Sequence, residues 1–533
     1  MKTSLRALGF GLAGLAQAAS MAAPWNGQPL WWLQLLSLAA LVWQLDALRP
    51  SGGEAPAIRP RPWRAAGLLG WVFATAWLCG TFWWLFISMH TYGGLPAPLA
   101  VAAIGLLSAF LSLYLAAALA AFACWRSGRA GLDALLFGAV WLLAELARGV
   151  IFTGFPWLAS GYAHVDGPLA ALAPWVGVYG MGAVAATLAA WLALGWREGR
   201  LIARIAPLGV LAGVLLALLV TGPGRFSQPG TTLTVTLLQG NVAQDEKFAV
   251  DRMPQSLEWT RDQLLAARGA LVVAPETVIP LLPSQLDPDY WASITGHFQR
   301  GEQAALLGLP LGDEVVGYTN SAAGLSPAAA RRPGGFYRYD KHHLVPFGEF
   351  VPNGFHWFTA MMNIPLGDFE RGPLAAPSFD VGGERVAPNI CYEDLFGEEL
   401  AARFVPEAGA PTILANISNI GWFGKTIAVE QHLRISRMRS LELQRPMIRA
   451  TNTGATVVID HRGAVTHSLP PFTVGILEGS VEGRQGLTPF AVWAGHLGLW
   501  PLALAAVALL FVLRRPRDTV PSSRPTESPS VLP

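Results

Sequence analysis

The chain has 533 residues, 52% of them hydrophobic and only 14% charged, against a usual charged share of about 25%. A net charge of +2 without a basic stripe gives no footing for a nucleic-acid partner, and three cysteines exclude a disulfide framework. The charge is also unevenly spread, which divides the chain into apolar and ordinary stretches.

A spanning helix needs roughly 20 mostly apolar residues. Candidates lie at 5–23, 30–48, 65–89, 98–124, 131–152, 168–195, 202–220 and 492–513, which predicts eight spans. The first resembles a signal peptide, but further spans follow at once, so it reads as a retained helix. Residues 1–220 thus form a seven-helix region and 231–490 have the composition of a soluble domain. Residues 492–513 supply an eighth helix, and the Pro/Ser-rich tail 514–533 is expected to be disordered. Cys79 and Cys124 fall in apolar runs and read as small buried hydrophobes.

Basic residues recur in alternate connections. Lys2 and Arg6 stand in the first, Arg49, Arg59, Arg61 and Arg64 in the second, and Arg126 and Arg129 in the third. Arg197, Arg200 and Arg204 follow, then Arg514, Arg515 and Arg517, whereas 24–29, 90–97 and 153–167 hold no Lys or Arg. The positive-inside rule therefore puts both termini in the cytoplasm and the 231–490 domain on the opposite side. Glu145 and Arg148, at i, i+3 spacing within the fifth span, are expected to pair near the outer interface.

Between the last two spans, apolar runs alternate with a helical pattern. Leu233–Leu237, Leu271–Ala274, Ala304–Leu311, Arg385–Ile390, Pro411–Ile417 and Ala455–Ile459 read as strands. Residues 252–267 and 427–443 read as helices. This predicts an α/β domain of some 260 residues, enough to bury its own core. Glu276, Cys391 and Asn419 each follow one of these strands, where α/β sheets carry their sites.

Cys391 is the only cysteine of that domain. As a thiolate it could attack an ester carbonyl, Glu276 could take its proton, and Lys341 could hold the oxyanion. A core cysteine, a helix-capping Glu and a solvated Lys are the alternatives for each taken singly. His342, His343 and His432 show no metal-ligand spacing, so no metal or cofactor is expected. The apolar stretch 355–365 is too short to span and reads either as a lipid gate at the outer interface or as a buried loop.

Several ordered stretches carry a resemblance. They are Gln239-Gly-Asn241, Ala274-Pro-Glu276-Thr, Tyr339-Asp-Lys341-His-His-Leu-Val-Pro-Phe-Gly-Glu349, Asn389-Ile-Cys391-Tyr-Glu393 and Asn416-Ile-Ser-Asn419-Ile-Gly-Trp422-Phe-Gly. Together they resemble the nitrilase superfamily, whose site is a Glu-Lys-Cys triad on an αββα sandwich. With the spans, the whole chain resembles the apolipoprotein N-acyltransferase family. Thr153-Gly-Phe-Pro-Trp157, Glu145-Leu-Ala-Arg148-Gly, Gln431-His432, Arg437-Met-Arg439 and Arg449-Ala-Thr-Asn452-Thr-Gly454 add to that likeness.

The resemblance implies acyl transfer from a phospholipid, with phosphatidylethanolamine the expected donor, to the amine of a diacylglyceryl-apolipoprotein. It implies Glu276 as base, Lys341 as oxyanion stabiliser and Cys391 as nucleophile, with Glu349 holding Lys341 and Tyr392 and Glu393 beside the thiol. Trp422, Phe423, Asn419 and Phe248 are the implied substrate contacts. Phe248 stands where the family often has Trp, and the Asn419 loop departs slightly from its commoner acidic form. A monomer in the bacterial inner membrane, with its catalytic domain periplasmic, is expected. The rival readings are a membrane-anchored amidase for small amides and a transporter or lipid-binding scaffold with an inert domain.

Overall fold

The computed structural model describes residues 2–48, 62–196, 226–361 and 368–514, with positions 209, 212, 213 and 216. Its first part is helical: α1 (Lys2–Met21), α2 (Trp31–Asp46), α3 (Pro62–Phe82), α4 (Ala97–Trp125), α5 (Ala130–Val150) and α6 (Ala173–Gly195). Among the described residues, four helical stretches, Pro62–Phe82, Ala97–Trp125, Ala130–Thr153 and Pro168–Gly195, are each long and apolar enough to cross a membrane. The expected third span ends early, at Phe82, and a π-helical turn, Ile87–Tyr92, follows it. Helices α1 and α2 stand where the first two spans are expected. The expected seventh span at 202–220, the basic residues Arg49, Arg59, Arg61, Arg197, Arg200 and Arg204, and the tail beyond Arg514 lie outside the described residues. On α5, Arg148 and Glu145 do pair, at 3.1 Å with both buried.

The second part carries α7 (Met253–Ala266), α8 (Pro288–Arg300), α9 (His356–Thr359), α10 (Gly397–Ala402) and α11 (Ala428–Leu443). Its strands are β1 (Gln228–Gln239), β2 (Leu271–Val273), β3 (Ala304–Asp313), β4 (Gly317–Leu325), β5 (Tyr337–Asp340) and β6 (Phe379–Val381), then β7 (Glu384–Ile390), β8 (Ile413–Ser418), β9 (Met447–Thr451), β10 (Val457–Ile459), β11 (Val465–Ser468) and β12 (Gly475–Gln485). They form two six-stranded sheets, ordered β12-β1-β2-β3-β4-β5 and β11-β10-β9-β8-β7-β6. The parallel pairs are β1–β2, β2–β3, β7–β8 and β8–β9.

The central strands are buried on both faces, which is why they read as continuous apolar runs. Ile413, Ala415 and Ile417 of β8 meet Leu271, Val273 and Leu306 in the layer between the sheets. Alternate residues face outward, as a two-residue side-chain period requires. Val272, Ala305 and Leu307 pack under Leu264 of α7 and Ile294 and Phe298 of α8. Leu414 of the other sheet packs under Ile435 and Met438 of α11. The result is an αββα sandwich. The α11 layer does not end at solvent: its apolar cluster continues into Trp77, Trp141 and Met181 of the helical bundle.

The eighth span departs from expectation. Instead of one helix at 492–513 there are two, α12 (Pro489–Leu497) and α13 (Trp500–Leu513), bent by 90°. Gly498 takes φ +56, open to glycine without strain, and Pro501 at the start of α13 has no N–H to continue the ladder of α12. Helix α12 instead lies on α10, where a Cβ at Gly495 would stand 2.6 Å from the Ala401 carbonyl.

Candidate active site

Each member of the trio leaves a strand end. The chain exits β2 through Ala274-Pro275 to Glu276, β5 directly to Lys341, and β7 directly to Cys391. The exits of β2 and β5, from one sheet, meet where the Lys341 Nζ lies 3.5 Å from Glu276 Oε1, and in the other sheet β7 ends level with β8, Ile390 opposite Ile417. Gly308 on β3 makes room for the first of them: a Cβ there would meet the Glu276 Cα at 2.6 Å and the Pro275 carbonyl at 2.5 Å.

The Glu276 carboxylate is fully engaged. Oε1 accepts the Asn320 amide at 2.8 Å and lies 3.5 Å from the Lys341 Nζ, and Oε2 accepts the Asn419 backbone N–H at 2.8 Å. Burial alone would raise this carboxyl; Lys341, Asn320, Lys247 and the Asn419 N–H outweigh it and hold it below its ordinary value. Lys341 is buried and also pairs with Glu349 Oε1 at 2.8 Å. Burial opposes its charge, but Glu349 and then Glu276 prevail and keep it an ammonium well above the usual range. The Asn320 amide bridges the two carboxylates, donating to Glu349 Oε1 at 2.7 Å as well.

Burial pushes the Cys391 thiol up to about 12, Glu276 adds to this, and Lys341 works against it. The resting group is thus a thiol beside a carboxylate base and an ammonium. Cys391 sits at φ +52 and Thr277, just after Glu276, at φ +50. A left-handed backbone at non-glycine residues is strained and gathers at functional sites. The turn at Cys391 is held from below. Its carbonyl accepts from Asn416 Nδ2 at 3.3 Å and from His432 Nε2 at 3.2 Å. Arg449 Nη2 lies 2.7 Å from His432 Nδ1; a guanidinium only donates, so the imidazole proton is on Nε2. Asp394 Oδ1, 3.1 Å from Nε2, is its second acceptor.

The other anticipated residues divide. Glu393 braces the site: it accepts from the Ile390 N–H at 2.6 Å, the Tyr339 hydroxyl at 2.8 Å and the His342 N–H at 2.7 Å. Tyr392 points to the membrane part, donating to the Gly154 carbonyl at 3.1 Å. Trp422 meets Tyr92 of the π-helical turn edge-on at 5.9 Å, and Phe423 meets Trp84 at 4.3 Å. Asn419 uses its side chain on Gln244 and Asn452, at 2.8 and 3.1 Å. Phe248 is exposed. His343 stacks on Phe396 at 3.5 Å, packing beside the lysine loop.

A sequence model of the apolipoprotein N-acyltransferase N-terminal domain matches residues 13–191, and one of carbon-nitrogen hydrolases matches 264–485. The apolipoprotein N-acyltransferase of Verminephrobacter eiseniae (strain EF01-2) is 56% identical over 508 residues, 92% of each chain. The chain belongs to the apolipoprotein N-acyltransferase family. The family member of Ralstonia nicotianae (strain ATCC BAA-1114 / GMI1000) is 47% identical over 91% of this chain and 90% of its own. A solved carbon-nitrogen hydrolase from Helicobacter pylori G27 aligns at 17% identity and TM-score 0.34, over 51% of this chain and 94% of that one. That likeness is too distant to carry an argument.

In this apolipoprotein N-acyltransferase family member, sequence reasoning misses Asn320, Lys247 and the support beneath Cys391. Asn320 lies on β4, whose Gly317-Tyr-Thr-Asn-Ser-Ala-Ala-Gly-Leu325 has no apolar run to mark it. Lys247 directly precedes Phe248, but nothing in the local sequence says that it is buried. His432 belongs to the Gln431-His432 pair of the resemblance, but its place under the thiol depends on α11 crossing the end of β7.

Proposed function

We propose that this chain transfers a fatty acyl chain from a membrane phospholipid, phosphatidylethanolamine first among them, to the N-terminal amine of a diacylglyceryl-apolipoprotein. The reading rests above all on the buried Glu276–Lys341–Glu349 array beside Cys391, on a sandwich whose helical layer merges with an apolar helix bundle. Both substrates are lipids. Lifting acyl chains into water would cost about 0.8 kcal/mol per CH₂, which a site at the bilayer surface avoids.

The chemistry is ping-pong. The Cys391 S–H proton passes to the Glu276 carboxylate as sulfur attacks the ester carbonyl, and the oxyanion forms against the Lys341 ammonium. Collapse breaks the ester C–O bond. The lysophospholipid oxygen takes the proton from Glu276, leaving a Cys391 thioester. The acceptor amine then attacks the thioester and gives its proton to Glu276. The amide forms, and the leaving thiolate recovers the proton. Because the thiol stands near 12, proton transfer accompanies attack rather than preceding it. Glu349 and Glu393 position Lys341 and the nucleophile turn; Tyr392 ties that turn to the helices; Trp422, Phe423, Asn419 and Phe248 line the approach.

The chain works as a monomer in the bacterial inner membrane, with seven spans within 1–220 and an eighth built on α13, Trp500–Leu513, in place of the straight helix expected over 492–513. Both termini, including the tail 514–533, face the cytoplasm, and the 231–490 domain faces the periplasm; the alternation of basic loops supports this orientation. The segment 355–365 gates lipid access. Phe355, Trp357 and Met361 are exposed, and Phe358 packs on the Leu95–Ala100 cluster, as do Phe86 and Met89. Positions 362–365 lie outside the described residues.

Mass spectrometry of a lipoprotein N-terminus, with and without this protein, is the direct test. An N-acyl group should appear only with the active protein. Cys391→Ala should insert and fold but give neither product nor acyl-enzyme. A labelled acyl thioester trapped on that variant would refute the role of Cys391, and ammonia release from soluble amides with no lipid product would favour the amidase.

A further inference from the structure

Lys247 is buried although it sits in a loop, between exposed Glu246 and Phe248. Its ammonium donates to the Glu276 backbone carbonyl at 3.1 Å. It borders a small cavity with Gly240, Val242, Trp259, Thr260 and Val278. We propose that Lys247 is a positioning residue for acylation, its ammonium supplying the second buried positive charge that keeps Glu276 a carboxylate. The inference rests on the Glu276–Lys341–Cys391 reading and extends it to a residue outside the trio.

Charge explains the need. Lys341 is shared between two carboxylates, Glu276 and Glu349, whereas Glu393 is bound by backbone N–H groups and the Tyr339 hydroxyl, and Asp394 pairs with Arg449. One ammonium against two carboxylates would leave a net negative site exactly where an oxyanion must form. Lys247 brings that set to balance. The groups it faces are few. Glu276 and Cys391 act on it from the trio; Asp245 and Glu246 of its own loop are exposed; Ser256, Trp259 and Thr260 of α7 do not titrate in the working range. Burial pulls the Lys247 ammonium down to about 8, with Glu276 and Cys391 partly opposing this. A buried charge that the fold disfavours adds little to stability, and such groups gather at functional sites. Methionine, of similar length, should therefore be accommodated.

The test is single-turnover acylation of the full chain, without acceptor, read as mass added to Cys391 across pH. Two donors are used, phosphatidylethanolamine in mixed micelles and p-nitrophenyl butyrate. K247M should move the acid limb up by about one pH unit with both donors, and so slow acylation by up to about tenfold at pH values on that limb, because losing a cation raises a carboxyl. K247R should restore the limb. A K247M limb and rate equal to wild type would overturn the inference, as would equal slowing of K247M and K247R with unmoved limbs, the mark of a packing role. Acylation of wild type by the butyrate ester but not the phospholipid would sink the lipid-donor reading and still decide Lys247. No acylation of wild type by either donor would sink both.

Discussion

Asn320 donates one amide group to two carboxylates, Glu276 and Glu349, at 2.8 and 2.7 Å. It therefore sets both the geometry and the charge of the base. Asn320→Ala should leave two buried oxygens short of a donor and destabilise the protein by about 1–3 kcal/mol. The same change should raise the Glu276 carboxyl and move the acid limb of acylation to higher pH, measured by thioester formation against pH. The sign follows from the folded state. The Glu276 carboxyl lies below 4.5, so its contribution to stability is full above pH 4.5 and is lost as pH falls through the lower folded value. A variant limb at or below that of the wild type would contradict this role. At this scale the reacting groups themselves were legible: acid, amine and thiol can be named from residue type and strand ends. Their partners were not, because Asn320, Lys247 and His432 are ordinary polar residues until the fold buries them.

Elements explain how the site meets lipid. Gln431 on α11 accepts the indole N–H of Trp84 at 2.9 Å and of Trp157 at 2.8 Å, joining the sandwich to two segments of the helical part. Gln431→Leu orphans two buried donors and should cost about 2–4 kcal/mol, at roughly 1–3 each with partial relaxation. Thermal unfolding in detergent would read the loss; an unchanged midpoint would show that the joint carries no load. The loop around α9 is the other element proposed to face lipid. Replacing Trp357, Phe358 and Met361 with Ser should slow transfer from phospholipid at least tenfold while p-nitrophenyl butyrate still acylates Cys391. Unchanged lipid turnover with intact folding would remove the gate. Strands buried on both faces, such as β2, β3 and β8, declared themselves by apolar runs. Strands β4, β5 and β12 did not, because their small, polar or one-sided sequences carry no period of their own. The bend at Gly498 was likewise hidden: hydropathy sums over a window and is blind to a single φ of +56.

At the scale of the whole molecule, one apolar cluster runs from Phe73 and Trp141 of the bundle to Phe404 and Ile435 of the sandwich. The sandwich is thus built against the apolar helical bundle, and that packing supports the proposed site at the bilayer surface. Orientation is the remaining global property, and Val315, 92% exposed on the β3–β4 turn, reports it. In Val315→Cys, a membrane-impermeant maleimide should label intact cells whose outer membrane alone has been opened. Labelling only after lysis would reverse the proposed topology. Sequence by itself determined the class of chemistry, the α/β nature of the 231–490 region and, among the described residues, the four apolar helices long enough to cross a membrane. These depend on composition, short-range period and residue type, which are local and additive. Only tertiary structure decided that Glu276, Lys341 and Glu349 share one buried hydrogen-bonded array and that α12 turns away from α13. It also decided that a histidine and an arginine stand beneath the nucleophile. Those outcomes depend on contacts between residues far apart in the chain, where burial, not identity, sets what each side chain can do.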